Sequence, residues 1–198
     1  MFLTDAVVHH TSLTTLDLHV LEWLHAHNTR LGLDIAQAIS FMGSPPVLSV
    51  LAVIVAIALI VKHAWSLLVG CFLALIGTGI LDSLLKTAIH RPRPSYAIAV
   101  LHGASFSYPS GHAMASLVVY GIATYVAVAC WAERKWTKAA ILCGGTMMVF
   151  LIGFSRLYLG VHYFSDVLAG YAVGALWMSV CIMATEAARP QRLGNFST

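Results

Sequence analysis

The chain consists of long apolar runs separated by short polar segments. Five of these runs approach the ~20 residues that a helix needs to cross a bilayer. They lie at about 46–61, 65–85, 112–131, 138–155 and 164–185. A span must satisfy its backbone polar groups internally, and unbroken apolar runs of this length do so as helices. The pattern therefore predicts an all-α integral membrane protein, a bundle of about five transmembrane helices.

The first 40 residues have a different pattern. Apolar and polar residues are mixed there, as between Leu18 and His27, and no window is long and apolar enough to span a bilayer. Such mixing is typical of an amphipathic helix that lies in the interface. We predict that residues 1–40 form an interfacial helical segment, that 41–187 form the transmembrane domain and that 188–198 form a cytoplasmic tail.

Composition points to the bilayer as the main partner of this single domain. Of the 198 residues, 59% are apolar and 10% are charged, whereas soluble proteins contain about 25% charged residues. The basic residues are scattered and form no stripe, which argues against nucleic acid as a partner. All four cysteines lie in or at the end of apolar runs, so we expect no structural disulfide. The N-terminus also lacks the pattern of a cleavable signal peptide.

Basic residues in the connecting segments predict the orientation. They are Lys62 in one turn, Arg134, Lys135 and Lys138 in another, and Arg189 and Arg192 in the tail. With five spans, all three places fall on one face of the membrane, and the positive-inside rule assigns that face to the cytoplasm. Three polar clusters in the other segments would then face the extracytoplasmic side.

The first polar cluster follows the second apolar run. Asp82 and Lys86 lie one helical turn apart, and an Arg-Pro-Arg-Pro sequence at 91–94 comes next. Proline disfavours helix in the residue before it, so Arg91 and Arg93 would be held on a constrained loop near Lys86. Charges beside a span by default indicate function. The alternative is a simple ion pair in which Lys86 reaches towards the interface.

The second cluster, Pro109-Ser110-Gly111-His112, precedes the third apolar run. Ser110 is a good helix N-cap, and glycine lets a ligand approach the backbone closely. Free N–H groups at a helix start favour a bound phosphate, and His112 would lie in the first turn beside it. The alternative is a capped helix with an incidental histidine.

The third cluster contains Arg156, His162 and Asp166. The histidine and the aspartate are four positions apart, so on a helix they would share a face and could hydrogen-bond. A carboxylate on one ring nitrogen leaves the other free to attack. A buried structural pair and two metal ligands are the alternatives. A metal is not expected, because no further residue joins the pair at ligand spacing.

Together the clusters supply the parts that phosphoryl transfer needs when no metal neutralises charge. These parts are three cations, backbone donors at a helix start and two histidines, one backed by a carboxylate. Arginine suits the task because its planar fork can hold two phosphate oxygens. From the residues alone, we interpret the chain as a membrane-embedded phosphatase.

Three motifs resemble the signatures of the type 2 phosphatidic acid phosphatase superfamily. They are Lys86-x6-Arg93-Pro94, Pro109-Ser110-Gly111-His112 and Ser155-Arg156-x5-His162-x3-Asp166. The resemblance covers about residues 40–185 and is greatest to bacterial phosphatidylglycerophosphate and undecaprenyl-diphosphate phosphatases. Many bacterial members have six spans, and this chain would lack the first.

The resemblance implies that His162 is the nucleophile, that Asp166 orients it and that His112 is the general acid. It further implies that phosphate is held by Lys86, Arg93, Ser110, Gly111 and Arg156, with no metal or other cofactor.

The expected substrate is a lipid phosphate or diphosphate at the periplasmic face of a bacterial inner membrane. Undecaprenyl diphosphate is the first choice, followed by phosphatidylglycerol phosphate and phosphatidate. A lipid phosphotransferase and a non-catalytic phosphate-binding membrane protein are the alternatives. The head group, the chain length and the oligomeric state do not follow from the sequence.

Overall fold

The computed structural model describes residues 12–96 and 106–187. The predicted tail, 188–198, and residues 1–11 of the predicted interfacial segment lie outside the described residues. In the described ranges the chain forms seven α-helices and no strand. They are α1 (Ser12–Ala26), α2 (Arg30–Met42), α3 (Pro45–Val61), α4 (Trp65–Ile89), α5 (Gly111–Trp131), α6 (Lys135–Tyr158) and α7 (Phe164–Ala187).

Four of these helices, α4 to α7, are long and apolar enough to cross a membrane. The number reaches five if α2 and α3, which meet at an angle of 41°, are counted as one bent span. The prediction of an all-helical protein with about five spans is therefore confirmed. The first predicted span, 46–61, corresponds to α3, whose 17 residues extend only about 25 Å at 1.5 Å per residue.

The bend between α2 and α3 has a local cause. Pro45 begins α3, where its missing N–H costs no hydrogen bond, and Gly43 caps α2. A Cβ atom at Gly43 would lie 2.5 Å from Cγ2 of Ile152 on α6. The chain can thus turn at this point only because a residue without a side chain lies against α6.

Helix α5 is central to the bundle and contacts α3, α4, α6 and α7. Small residues on α7 let the two backbones approach closely. A Cβ atom at Gly170 would lie 2.6 Å from the carbonyl oxygen of Ser110, and one at Gly174 would lie 3.0 Å from that of Met114. This close packing holds the start of α7 against the start of α5, where two of the polar clusters lie.

The N-terminal helix α1 packs against α6 and α7. Its buried residues Asp17, Leu21 and Leu24 are spaced by four and three, so they share one face of the helix. Two of them are the apolar contacts expected of an amphipathic helix. The third is a carboxylate that is 1% exposed, which requires a partner inside the protein.

Candidate active site

The three polar clusters meet at one end of the bundle. They come from the end of α4 and the loop after it, the start of α5, the end of α6 and the loop before α7. His112 lies within electrostatic range of four other members of the set, namely Lys86, Arg93, Arg156 and His162. Motif residues as far apart in the sequence as Lys86 and Asp166, 80 positions, thus belong to a single site.

His162 lies in the loop before α7 and not on a helix, because α7 begins at Phe164. The expectation that His162 and Asp166 share a helix face is therefore wrong in its geometry, although the two side chains are close. The Nδ1 atom of His162 lies 3.5 Å from Oδ2 of Asp166, too far for a hydrogen bond. The loop turns at Gly160, whose φ of +64° lies in the region that glycine adopts without strain.

The other ring nitrogen of His162 faces a cation. Its Nε2 atom lies 3.2 Å from Nη1 of Arg93. A guanidinium can only donate, so Nε2 accepts and the ring proton is on Nδ1, facing Asp166. Burial lowers the pKa of His162 to about 4, with Arg156 and Arg93 also lowering it and Asp166 opposing them. The imidazole is therefore neutral at pH 7, the form in which it can act as a nucleophile.

Asp166 is held on both sides of its carboxylate. Oδ2 accepts hydrogen bonds from the backbone N–H of Tyr163, at 2.9 Å, and from the hydroxyl of Ser107. The bond from the Tyr163 N–H is a helix-capping contact, in which an acidic side chain in the first turn reaches back to the backbone of the residue that precedes the helix. Oδ1 accepts from Nη1 of Arg91 at 2.5 Å. These contacts fix the carboxylate beside His162.

Arg93 and Arg156 approach the site from different elements. Nη1 of Arg93 also donates to the carbonyl of Val161 at 3.0 Å, and burial lowers the pKa of this arginine. Arg156, on α6, is 9% exposed and donates from Nη1 to the hydroxyl of Ser40 at 2.6 Å. Its buried Nε has no hydrogen-bond partner within the described ranges. A buried guanidinium with an unused donor is suited to receive an anion.

Lys86 forms an ion pair with Asp82 one turn earlier on α4, at 2.7 Å. This is the pairing that the sequence left open as an alternative to phosphate binding. Asp82 also lies over the start of α5, since a Cβ atom at Gly111 would be 2.9 Å from its Oδ1 atom. Lys86 therefore stands at the edge of the site with a carboxylate already beside it.

Ser110 is fully buried and is the N-cap of α5, its hydroxyl facing the N–H of Ala113 at 3.5 Å. His112 follows in the first turn. Together with Gly111 and Asp82, His112 lines one end of a cavity of about 430 Å³. Most of the other walls are apolar side chains of α3, α4 and α5.

Asp17, Arg91, Ser107 and Ser165 are the site residues that the sequence did not single out as binding or catalytic. Arg91 is buried and joins Asp17 to Asp166. Its Nη2 atom lies 2.7 Å from Oδ2 of Asp17, and its Nη1 atom lies 2.5 Å from Oδ1 of Asp166. A signal for Asp17 was present in the sequence, because it occupies the apolar face of α1 with Leu21 and Leu24. The described part of the chain contains no group of three His, Cys, Asp or Glu residues that could hold a metal.

Comparison with known proteins identifies the family. The sequence matches the PAP2 superfamily over residues 64–190, a range that contains all three motif clusters. The chain belongs to the PAP2 superfamily. It is 33% identical over 145 residues to phosphatidylglycerophosphatase B of Bacillus subtilis (strain 168), covering 72% of this chain and 70% of that protein.

Two further similarities fit this membership. The chain is 34% identical over 85 residues to undecaprenyl-diphosphatase of Sulfolobus acidocaldarius, covering 43% of this chain and 36% of that protein. The fold superimposes on the crystal structure of a transmembrane PAP2 type phosphatidylglycerolphosphate phosphatase from Bacillus subtilis with a TM-score of 0.86. That match has 26% identity and covers 96% of this chain and 94% of the other.

The recognition made from the three motifs is thus confirmed, as is the helical membrane fold. The protein is a PAP2-type integral membrane phosphatase, in a family that includes lipid phosphatases. This membership favours an enzyme over the non-catalytic alternative.

Proposed function

We propose that the protein hydrolyses a lipid phosphate or diphosphate through a phosphohistidine on His162. The proposal rests on the surroundings of the imidazole ring of His162, whose two nitrogens face groups of opposite charge. Nε2 faces the guanidinium of Arg93, and Nδ1 faces the carboxylate of Asp166. A phosphate drawn to Arg93 would therefore meet the lone pair of Nε2, with a carboxylate behind the ring to stabilise the positive charge that develops.

In the first step Nε2 attacks phosphorus, and the bond from phosphorus to the lipid oxygen breaks. For a diphosphate, the bond to the bridging oxygen breaks instead. His112 gives a proton to the departing oxygen, and the imidazolium formed at His162 retains its Nδ1 proton towards Asp166. In the second step water attacks the phosphohistidine, His112 takes a proton from it, and the phosphorus–nitrogen bond breaks to release phosphate.

Five residues would stabilise the phosphate oxygens during both steps. Arg93 and Arg156 would donate from their guanidinium groups, and Lys86 would exchange part of its interaction with Asp82 for phosphate. Ser110 would contribute through its hydroxyl and Gly111 through its backbone N–H at the start of α5, where the positive end of the helix dipole favours an anion. The catalytic part of the chain is then 41–187.

A lipid is the substrate class that the surroundings favour. The cavity beside His112 is lined mostly by apolar side chains, and His112 is the residue that would give its proton to the leaving group. Undecaprenyl diphosphate stays the first choice, with phosphatidylglycerol phosphate and phosphatidate next. Relatives named for an undecaprenyl diphosphate activity and for a phosphatidylglycerophosphate activity support the first two.

We further propose that the site faces the periplasm of a bacterial inner membrane. Lys62 follows α3, and Arg134 precedes α6, so both lie at the opposite ends of the helices from the site. The positive-inside rule places that basic end in the cytoplasm.

Phosphate release by the purified protein in detergent tests the function. The three lipids and a soluble sugar phosphate would be compared with a chelator present, using His162→Ala as the control. Release from a lipid that persists with chelator and disappears in His162→Ala is the expected result. Release that survives in His162→Ala would mean that another residue is the nucleophile. Consumption of the lipid only when an acceptor lipid is added would point to phosphotransfer.

A further inference from the structure

We infer that Asp17 and Arg91 are positioning residues that hold Asp166 and set the charge it presents to His162. The N-terminal helix α1 would thereby form part of the catalytic apparatus. This inference rests on the proposed function, since it requires His162 to become positively charged during the reaction. Asp17 lies before residues 64–190, so it belongs to none of the three family motifs.

The contacts form a continuous buried chain from α1 to the proposed nucleophile. The guanidinium of Arg91 donates from Nη2 to Oδ2 of Asp17 at 2.7 Å and from Nη1 to Oδ1 of Asp166 at 2.5 Å. Asp166 then lies 3.5 Å from Nδ1 of His162. The side chains of Asp17, Asp166 and His162 are 1%, 0% and 2% exposed, so solvent does not screen their interactions.

Ser165 fastens the same network to the start of α7. Its backbone N–H and its hydroxyl both donate to Asp17, at 2.8 and 2.5 Å, and its hydroxyl also accepts from Nη1 of Arg91 at 2.8 Å. The ring of Tyr163 covers the guanidinium at 4.1 Å. Asp17 is therefore bound to the residue that directly precedes Asp166, and this fixes the backbone of the carboxylate as well as its side chain.

The charge balance explains why a second carboxylate is useful. If Asp166 alone paired with Arg91, its negative charge would be largely neutralised and little would remain for His162. Asp17 accepts from one of the two terminal nitrogens of the Arg91 guanidinium. The carboxylates of Asp17 and Asp166 and the cation of Arg91 together carry one net negative charge beside the His162 ring. Burial opposes the charged form of Arg91, but Asp166 and Asp17 outweigh it and raise the pKa of Arg91 above its usual value. The cation therefore persists at any working pH.

Asp17→Asn tests the inference because it keeps the shape of the side chain and removes its charge. We expect kcat to fall by about 10- to 100-fold with KM changed less than about threefold, since the charge on His162 exists only beyond the ground state. Glu22→Gln is the matched control, as it removes an exposed charge from the same helix. Equal kcat in the two variants would overturn the inference.

A double-mutant cycle with Asp166→Asn separates positioning from a general structural role. If Asp17 acts through Asp166, adding Asp17→Asn to Asp166→Asn leaves kcat unchanged within about twofold. A further loss of the full 10- to 100-fold would mean that Asp17 acts elsewhere, and the inference would be wrong. Should Asp17→Asn not fold, Ser165→Ala removes contacts of Asp17 without stranding a buried charge. A smaller drop in kcat is then expected, and none would count against the inference.

Nuclear magnetic resonance of the imidazole nitrogens gives a readout that needs no turnover. In Asp17→Asn the measured pKa of His162 should fall further, because Arg91 would then draw the charge of Asp166, while Arg93 and Arg156 still face the ring. An unchanged value would overturn the inference. Activity that persists in His162→Ala would instead refute the proposed function. Loss of activity in His162→Ala with normal kcat in Asp17→Asn would refute only the role of Asp17.

Discussion

The two nitrogens of His162 lie between groups of opposite charge, and the burial of the ring determines its protonation. The pKa near 4 in the folded protein compares with about 6.5 for an exposed histidine. The unfolded chain therefore takes up this proton first as the pH falls. The stability that the neutral ring contributes is present above about pH 6.5, and it is lost between about pH 6.5 and 4.

A titration followed by nuclear magnetic resonance checks this protonation state directly. We expect the nitrogen signals of His162, assigned by their absence in His162→Gln, to stay those of a neutral ring with the proton on Nδ1 from pH 7.5 to about 5. A ring protonated at pH 6.5 would contradict the proposed resting state.

Arg156 offers a second test at the scale of one side chain. Among the residues that the structure describes, its buried Nε has no hydrogen-bond partner and its Nη1 contacts only a neutral hydroxyl. Arg156→Lys keeps the charge but loses the planar fork, so we expect kcat/KM to fall by about 100-fold. Arg30→Lys, an exposed change on α2, should leave it unaltered. Steady-state kinetics with one lipid phosphate measure the difference. If kcat/KM is the same in Arg156→Lys and in the wild-type protein, Arg156 does not bind the phosphate.

The geometry of the site depends on the packing of α7 against the start of α5. In Gly170→Ala the new Cβ atom would lie 2.6 Å from the Ser110 carbonyl. We expect this overpacking to lower the free energy of unfolding by about 1–3 kcal/mol and to reduce activity. The helices would separate where Ser110 N–H donates to the Asp166 carbonyl at 3.0 Å. Thermal unfolding in detergent and phosphate release measure the two effects.

Gly144→Ala on α6 is the control for this change. Within the described ranges, no atom beyond the adjoining turns of the helix lies within 4 Å of a Cβ built there, so the substitution adds only helix propensity, worth up to about 1 kcal/mol. A Gly170→Ala protein as stable and active as Gly144→Ala would show that the two helices tolerate a wider separation than the structure indicates.

The sequence predicted some of the helices and loops of the fold but not others. The apolar runs predicted α4 to α7 because a bilayer imposes both length and hydrophobicity on a helix. The fifth run also predicted the start of α7 near residue 164. The four-residue spacing suggested a shared helix face for His162 and Asp166, but the reach-back of Asp166 to Tyr163 starts the helix after His162. The two arginines of the Arg-Pro-Arg-Pro loop look alike in sequence. The family motif singled out Arg93, but only the structure shows that Arg91 pairs with Asp17 whereas Arg93 faces His162.

For the whole molecule, the orientation in the membrane is open to a simple test. With the site facing outwards and an odd number of spans after an outer N-terminus, the C-terminus lies in the cytoplasm. A fluorescent protein fused there should fold and fluoresce, whereas a periplasmic reporter enzyme fused there should be inactive. The reverse result would contradict both the five-span topology and the periplasmic site.

The proposed reaction passes through a covalent phosphoenzyme on His162, which can be trapped and identified. Protein mixed briefly with a lipid substrate labelled on its phosphate would be quenched in base and analysed by mass spectrometry. We expect a base-stable, acid-labile phosphate on His162 that is absent in His162→Ala. Phosphate found on another residue, or turnover retained in His162→Ala, would contradict it.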